Sequence, residues 1–354
     1  MKDADIGSQL EQTIAEAAEV EQSLQLVGSG SKQFLGRQAI GKPLAMTAHQ
    51  GVVNYEPREL VITVRSGTPL AELETLLAAE GQMLPFEPPH FGDQATLGGT
   101  IACGLSGPRR PYLGAARDFV LGTTVINGLG RRLRFGGEVM KNVAGYDVSR
   151  MMVGAMGTLG VILDVSMKVL PLPESDVTLV QELSEGKAIA LMNQLAGRPL
   201  PLSAASYDGL NLYLRLSGSE QGVKAACSQV GGEQLPDDAA FWTKVREHQH
   251  PFFKTDKPLW RLSISAASPP LDLPGKQLID WGGAQRWFLA EDPEVDLHAI
   301  AASRGGHAQL FRGGDRTGEV TQPLSDGLML IHQQLKQAFD PKGILNLGRL
   351  YRKL

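Results

Sequence analysis

Apolar residues Leu10, Ile14, Ala17 and Ala18 recur at helical spacing behind Ser8-x-x-Glu11, a capping-box pattern, and predict an opening amphipathic helix. Residues 24–27 read as a short strand that runs straight into Gly28-Ser29-Gly30-Ser31-Lys32. A second strand is predicted over 60–64. Thr68 as N-cap and Pro69 at the first helical position then open a helix with Leu70, Leu73, Leu76 and Leu77 inward, closed by Gly81. Residues 82–85 read as a strand broken by Pro88-Pro89. Strands over 119–126 and 131–135 flank the turn Asn127-Gly128-Leu129-Gly130. Asp147 is placed to cap a short helix through Met152, and 161–169 form a strand that Pro171 and Pro173 end.

The second half has a different texture. Helices are predicted over 185–196, 220–230, 239–246 and 326–339, the last with Leu328, Ile331, Leu335 and Phe339 on one face. Strands are predicted over 210–216, 260–264 and 286–289. Helices and strands mix without regular alternation, so the expected class is α+β. The chain has 354 residues, beyond the ~250–300 at which single cores stop growing. The expected division is 1–173, then an α+β domain over 174–325 that caps the first or meets another subunit, then a helix and tail over 326–354 that pack back on the first.

Composition narrows the chemistry. Net charge is −4, which disfavours nucleic acid. Two cysteines, Cys103 and Cys227, exclude a disulfide framework and a self-contained iron–sulfur cluster, which needs about four thiolates. The start of the chain does not read as a signal peptide, and the uncharged run 151–163 is too short for a membrane span of about 20 residues. A cytoplasmic protein is expected, with room for peripheral docking on a membrane partner. Glycine is the outlier, 41 residues, densest between Gly92 and Gly160.

Glycine after a strand lets the backbone turn and bring bare N–H groups close to an anion such as a dinucleotide's pyrophosphate. Gly28-Ser29-Gly30-Ser31 stands in that context, with Lys32 adding a charge. The nicotinamide fingerprint fails, because its third glycine is replaced by Gln33 and no acidic residue follows about 20 positions on. Taken alone, a loop of this kind is more often just a tight turn. A second glycine region supplies the case. Thr96 can cap a short helix over Leu97-Gly98-Gly99-Thr100-Ile101-Ala102, whose leading amides form an anion site. Gly104-Leu105-Ser106-Gly107-Pro108-Arg109-Arg110 continues as a glycine loop in which Ser106, Arg109 and Arg110 could meet phosphate oxygens, with a substrate carboxylate or plain exposure as the other readings of the two arginines.

The runs Thr96-Leu97-Gly98-Gly99, Arg117-Asp118-Phe119-Val120-Leu121-Gly122, Lys141-Asn142-Val143-Ala144-Gly145-Tyr146-Asp147 and Gly154-Ala155-Met156-Gly157-Thr158-Leu159-Gly160-Val161 resemble the FAD-binding domain of the vanillyl-alcohol oxidase and p-cresol methylhydroxylase family. So does the tail Asp340-Pro341-Lys342-Gly343-Ile344-Leu345-Asn346-Leu347-Gly348-Arg349. Within it, Met83-Leu84-Pro85-Phe86-Glu87-Pro88-Pro89 and Phe135-Gly136-Gly137-Glu138-Val139-Met140-Lys141-Asn142 are similar to the FAD-binding E subunits of bacterial glycolate oxidases.

The resemblance implies a p-cresol-methylhydroxylase-type FAD domain over 1–173. It implies a complex with a second flavin subunit and an iron–sulfur subunit, oxidising glycolate and D-lactate and passing electrons to an acceptor other than nicotinamide. By position, it implies that Gly28, Ser29, Gly30, Ser31 and Lys32 hold the pyrophosphate from one side, and Thr96, Gly98, Gly99, Ala102, Gly104 and Ser106 from the other. Gly157, Thr158, Leu159, Gly160 and Val161 would follow the adenosine, with Asn346 and Arg349 near the flavin ring. Ser31 and Lys32 stand where relatives with covalent flavin carry histidine, so non-covalent FAD is expected.

Related D-2-hydroxy acid dehydrogenases carry Ser-Glu where this chain has Ala155-Met156, and a histidine-rich metal motif that Arg304-Gly305-Gly306-His307 and Gly313-Gly314-Asp315 cannot supply. The closing Asn-Pro-Gly is here Asn346-Leu347-Gly348. No metal site is expected, and no catalytic base is assigned. The reading is therefore an electron-relaying or assembly-supporting flavin subunit. A free-standing FAD-dependent D-2-hydroxy acid dehydrogenase and a structural subunit that has lost flavin stay open. Among other candidates, His248 and His250 read as solvated surface, His90 as loop packing, Cys103 as a small packing residue, and Phe241, Trp242, Phe252, Phe253 and Trp260 as core or subunit interface of the second domain.

Overall fold

The structure is a computed structural model that describes residues 2–137, 147–292 and 294–354. The motif residues Glu138, Val139, Met140, Lys141, Asn142, Val143, Ala144, Gly145 and Tyr146 lie outside the described residues. In chain order the elements begin α1 (Gly7–Glu19), β1 (Leu24–Val27), β2 (Lys42–Ala45), β3 (Val52–Glu56), β4 (Val61–Arg65), α2 (Leu70–Ala79), β5 (Gln82–Met83) and α3 (Leu97–Cys103). Then come α4 (Arg110–Leu113), α5 (Ala116–Phe119), β6 (Val120–Ile126), β7 (Arg132–Gly136), α6 (Val148–Met152), β8 (Val161–Lys168), β9 (Leu170–Pro171) and β10 (Ser175–Glu182). The remainder are α7 (Glu185–Ala196), β11 (Leu202–Tyr207), β12 (Asn211–Gly218), α8 (Glu220–Val230), β13 (Glu233–Gln234), α9 (Asp238–Arg246), β14 (Leu259–Ser263), β15 (Gln277–Asp280), β16 (Gln285–Leu289), α10 (Leu297–Ser303), β17 (His307–Arg312) and α11 (Asp326–Phe339). The class is α+β.

Two compact units divide the chain. The first comprises Met1–Leu105, Ala115–Pro171 and Leu324–Leu354; the second comprises Ser106–Gly114 and Leu172–Pro323. In the first, a five-stranded antiparallel sheet runs β3-β4-β8-β6-β7. Its middle strand, β8, is buried at six of its eight positions, because both faces are covered. Ile162, Val165 and Met167 pack with Leu70, Leu73 and Leu77 of α2 and with Leu97 and Ile101 of α3. Val161 and Leu163 pack with Leu10, Ile14 and Ala17 of α1 and with Ile344 and Leu345 of the tail. β1 and β2 form a separate parallel pair, and Leu345 bridges to Leu24.

The second unit is one eight-stranded sheet, β13-β10-β12-β11-β15-β16-β14-β17, all of its pairings antiparallel. Helices α7, α8 and α10 pack against it through Ile189 and Met192, Val223 and Ala226, and Leu297 and Ala301.

Several expectations change at the caps. The first helix starts at Gly7, whose amide is held by Asp5 Oδ1 at 2.8 Å, and Ser8 makes no cap. Thr68 does not cap α2, because its hydroxyl accepts the Gly51 amide at 2.9 Å; Pro69 takes the cap position. Strands β2, β3, β9, β10, β11, β13, β15 and β17 add to those predicted from the sequence. The helix α11 covers the predicted span, but Leu328 and Ile331 are exposed at 49% and 51% while Lys336 is buried. Among the described residues, no helix is long and apolar enough to cross a membrane.

Candidate functional site

Five stretches of the first unit converge on one cleft: the turn after β1, the residue after β4, the residues opening α3, the segment before β8, and the tail. The chain leaves β1 at Val27 and turns at once, with Gly30 at φ +82° and the Gln33 amide closing on the Gly30 carbonyl at 3.0 Å. Thr96 Oγ1 accepts the Gly99 amide at 3.2 Å and so starts α3. The stretches are pressed together. A Cβ on Gly28 would lie 2.6 Å from Thr96 Oγ1, and one on Gly98 would lie 2.5 Å from Ser66 Cβ and 2.9 Å from the Ser66 carbonyl oxygen. At these two positions glycine is needed for chain to meet chain. The cleft between them is partly open to solvent.

The donors facing it are specific. The leading amides of α3 are already taken: Leu97 donates to the Thr68 carbonyl (3.0 Å), Gly98 to the Ser66 carbonyl (2.7 Å) and Gly99 to Thr96. The anion site expected at that helix start is therefore consumed by the fold itself. Among the described residues, the Ser29, Gly30 and Gly157 amides have no acceptor in the chain. Ser66 Oγ is buried, borders the cleft and has no hydrogen-bond partner. Lys32 is buried beside them, its Nζ donating to the His90 carbonyl at 3.0 Å. A buried hydroxyl without a partner is costly. Bare amides, that hydroxyl and one lysine fit a doubly negative pyrophosphate, whose oxygens accept and never donate.

The tail closes the cleft by bracing it. Asn346 accepts the Leu26 amide through Oδ1 (2.7 Å) and donates through Nδ2 to the Met156 carbonyl (2.6 Å). Arg349 donates to the carbonyls of Arg37 (2.8 Å) and Gln33 (3.1 Å). Cys103 also borders the cleft, and burial pushes its thiol up, against the opposing pull of Lys32 and Arg349.

The lining brings together Gly28, Ser29, Gly30, Ser31, Lys32, Thr96, Gly98, Gly99, Ala102, Gly157, Gly160, Val161, Asn346 and Arg349. Gly104, Ser106, Thr158 and Leu159 are not part of it. Gly104 ends α3 at φ +62°, Ser106 belongs to the second unit, Thr158 is buried with Oγ1 on the Ala155 carbonyl (2.8 Å), and Leu159 packs against the core. Ser66, Met46, Met156 and Ile162 line the cleft without having been read from sequence. Ser66 had a signal: it follows a strand and precedes glycine, as Ser29 does.

Two sequence readings are corrected. Arg109 and Arg110 do not line the cleft. Arg109 Nη2 is held by both carboxylate oxygens of Asp176, at 3.2 and 3.3 Å, and the Arg110 guanidinium lies 4.1 Å over the Trp281 ring. Nor is His248 solvated surface. It is buried, stacked on Phe253 with centroids 3.9 Å apart. A sequence pattern shows neither: Asp176 and Trp281 lie far along the chain from the arginines, and Trp287 and Phe311 close over His248 from distant strands.

A family model described as an FAD binding domain matches residues 7–136. Over all 354 residues the chain is 49% identical to glycolate oxidase subunit GlcE of Escherichia coli (strain K12), covering 100% of both chains. The chain belongs to the GlcE family. It is an oxidoreductase-family flavoprotein whose cofactor is FAD. It is also 30% identical over 165 residues to D-lactate dehydrogenase of Anaerostipes hadrus, 45% of this chain and 34% of that one. To glycolate oxidase subunit GlcD of Bacillus subtilis (strain 168) it is 30% identical over 198 residues, 55% of this chain and 42% of that one. Among solved structures, 4-ethylphenol oxidase from Gulosibacter chungangensis matches with a TM-score of 0.70 at 14% identity, over 98% of this chain and 88% of that one. That likeness shows a shared fold.

Proposed function

We propose that this chain is the FAD-carrying subunit of a complex that oxidises glycolate and D-lactate to the 2-oxo acids. The observation that carries the reading is the 49% identity to a glycolate oxidase subunit across the whole of both chains. It is supported by a cleft whose free donors suit a pyrophosphate. In this reading residues 1–173 carry the flavin, the Ser29 and Gly30 amides with Ser66 and Lys32 hold the pyrophosphate, and residues 157–161 follow the adenosine. Asn346 and Arg349, committed to main-chain partners, shape the flavin end of the cleft. Binding is non-covalent, since Ser31 and Lys32 leave no histidine at the loop to attach it. FAD supplies a two-electron acceptor able to pass electrons on one at a time.

The acid is oxidised on a second flavin subunit, and this chain relays electrons towards an iron–sulfur subunit or supports assembly. Membrane association, where it occurs, is peripheral and through those partners. A second reading, a free-standing D-2-hydroxy acid dehydrogenase, is favoured by the similarity to a D-lactate dehydrogenase over 45% of the chain.

The experiment is anaerobic addition of glycolate to the purified chain, alone and with co-expressed partner subunits, followed by the flavin absorbance bands. Bleaching only with partners present supports the first reading. Bleaching of the isolated chain supports the second. A colourless chain that takes up no added FAD overturns both.

A further inference from the structure

Helix α3 presents one stripe to the flavin cleft. Gly99, Ala102 and Cys103 all line it, as positions three and four apart on a helix share a face. Gly99 lies at the pyrophosphate end, its amide on Thr96 Oγ1, the same atom that crowds Gly28. Cys103 stands one turn further on, about 6 Å along the axis. That end of α3 meets the segment before β8. The Gly154 amide donates to the Ile101 carbonyl at 3.0 Å, and the Met156 amide to the Ala102 carbonyl at 2.8 Å. Asn346 Nδ2 holds the Met156 carbonyl at 2.6 Å. The Cys103 thiol is therefore at the tail end of the cleft, one turn beyond the pyrophosphate donors.

The thiol does not stand alone. Ser66 Oγ borders the same cleft on a residue 2% exposed, and it has no hydrogen-bond partner among the described residues. A buried hydroxyl in that state points to a polar group of a ligand. Cys103 is only half-buried, so its sulfur is reachable from the cleft. Burial pushes the thiol up, against the pull of Lys32 and Arg349. At neutral pH it is the protonated, uncharged form, a poor partner for phosphate oxygens and a good one for an aromatic ring, which soft sulfur contacts favourably. Cys227, the other cysteine, packs on α8 with Val223 and Leu179 and does not line the cleft.

We propose that Cys103 is a cofactor-gated thiol: its Sγ packs against the ribityl–isoalloxazine half of bound FAD, which closes it to reagents, and in the flavin-free chain a small electrophile adds to it and blocks FAD uptake. With an activated alkene such as a maleimide, an S–C bond forms, the C=C π bond breaks and the thiol proton ends on the neighbouring carbon; nothing leaves. The adduct then fills the wall that the flavin needs. The site rests on the preceding reading for the identity of the cofactor. It deepens that reading by naming a side chain on the flavin half and a modification that controls loading.

The test compares the full-length chain carrying its flavin with the same chain stripped of it. N-ethylmaleimide is the probe, and mass spectrometry reads the Cys103 and Cys227 peptides separately. In the stripped chain Cys103 labels. Added FAD slows that labelling by about tenfold or more, as expected when a thiol loses its exposure, and leaves Cys227 unchanged. ADP, which carries the pyrophosphate and no flavin, leaves Cys103 reactive. A stripped chain labelled first takes up no added FAD, read by flavin absorbance, while its unfolding temperature shows that it is still folded. Cys103→Ser takes up the same amount of FAD with and without the reagent, which assigns the block to Cys103 and not to Cys227. The proposal is overturned by equal Cys103 labelling with and without FAD, by a Cys103 that stays silent in the stripped chain, by full protection from ADP, or by normal FAD uptake after labelling. A yellow chain whose Cys103 still labels sinks this contact and leaves the flavin reading standing. A chain that takes up no FAD with its thiol unmodified sinks the flavin reading itself.

Discussion

Gly98 has the tightest surroundings in the flavin cleft, since any side chain there meets the Ser66 backbone, which cannot swing aside. Gly98→Ala is expected to destabilise the first unit by about 1–3 kcal/mol, the usual cost of overpacking, and to lower flavin content; thermal unfolding and flavin absorbance check both. Gly99 is different, because a Cβ there would meet only Thr96 Oγ1, at 3.2 Å. Gly99→Asp should fold, with a near-native melting temperature, yet lose FAD because it places negative charge by the pyrophosphate donors. Native flavin content in that variant would refute the placement. Ser66→Ala separates holding from folding. Removing a buried hydroxyl that lacks a partner leaves the flavin-free protein as stable as before or more so, while FAD binding weakens by about 0.5–1.5 kcal/mol, measured by fluorescence titration of the apoprotein. The glycines were legible as a cluster in sequence. Their division of labour was not, because whether a glycine faces a ligand or another loop depends on what the fold brings opposite it.

At the scale of elements, α11 shows how a helix can be found in sequence while its inward face is misread. Periodicity located residues 326–339 but put Leu328 and Ile331 inward, where both are exposed. The inward contact is Lys336, whose Nζ donates to the Thr158 and Leu345 carbonyls at 2.8 Å and to Asp340 Oδ2 at 2.7 Å. Asp340 in turn accepts the Ile344 amide at 3.1 Å and the Leu345 amide at 2.8 Å. Burial lowers the lysine and Asp340 works against that. Asp340→Ala strands a buried ammonium and leaves the Ile344 and Leu345 amides without their acceptor, and should cost about 3–5 kcal/mol in denaturant unfolding. Leu328→Gln with Ile331→Gln should stay within about 0.5 kcal/mol per site, as for exposed positions. A hydrophobicity pattern counts lysine as polar and sends it outward. Only the carbonyls of two remote segments, converging on one point, make it the inward residue.

At the scale of the whole molecule, the second unit carries a pH dependence. His248 sits among Phe253, Trp287 and Phe311, and burial with the nearby Arg312 and Arg261 holds it well below the ordinary histidine range. His250, His298 and His307 are also lowered, each mainly by burial. A histidine lowered on folding is neutral in both states above about 6.5, so it contributes no pH dependence there. Below that value the unfolded chain binds the proton first, and stability falls with pH until the folded pKa is reached. The unfolding midpoint should therefore drop from pH 7 to pH 5, and His248→Phe should flatten the slope; a parallel slope in that variant would remove His248 as its source. From residue order alone came the α+β class, most helices, the turn after β1, the glycine regions and the resemblance that points to FAD, because these depend on near neighbours and short-range geometry. The tertiary structure decided which donors stay free, which arginines are already engaged and which face of α11 is inward. Those depend on partners tens to hundreds of residues away, and no local pattern carries their positions.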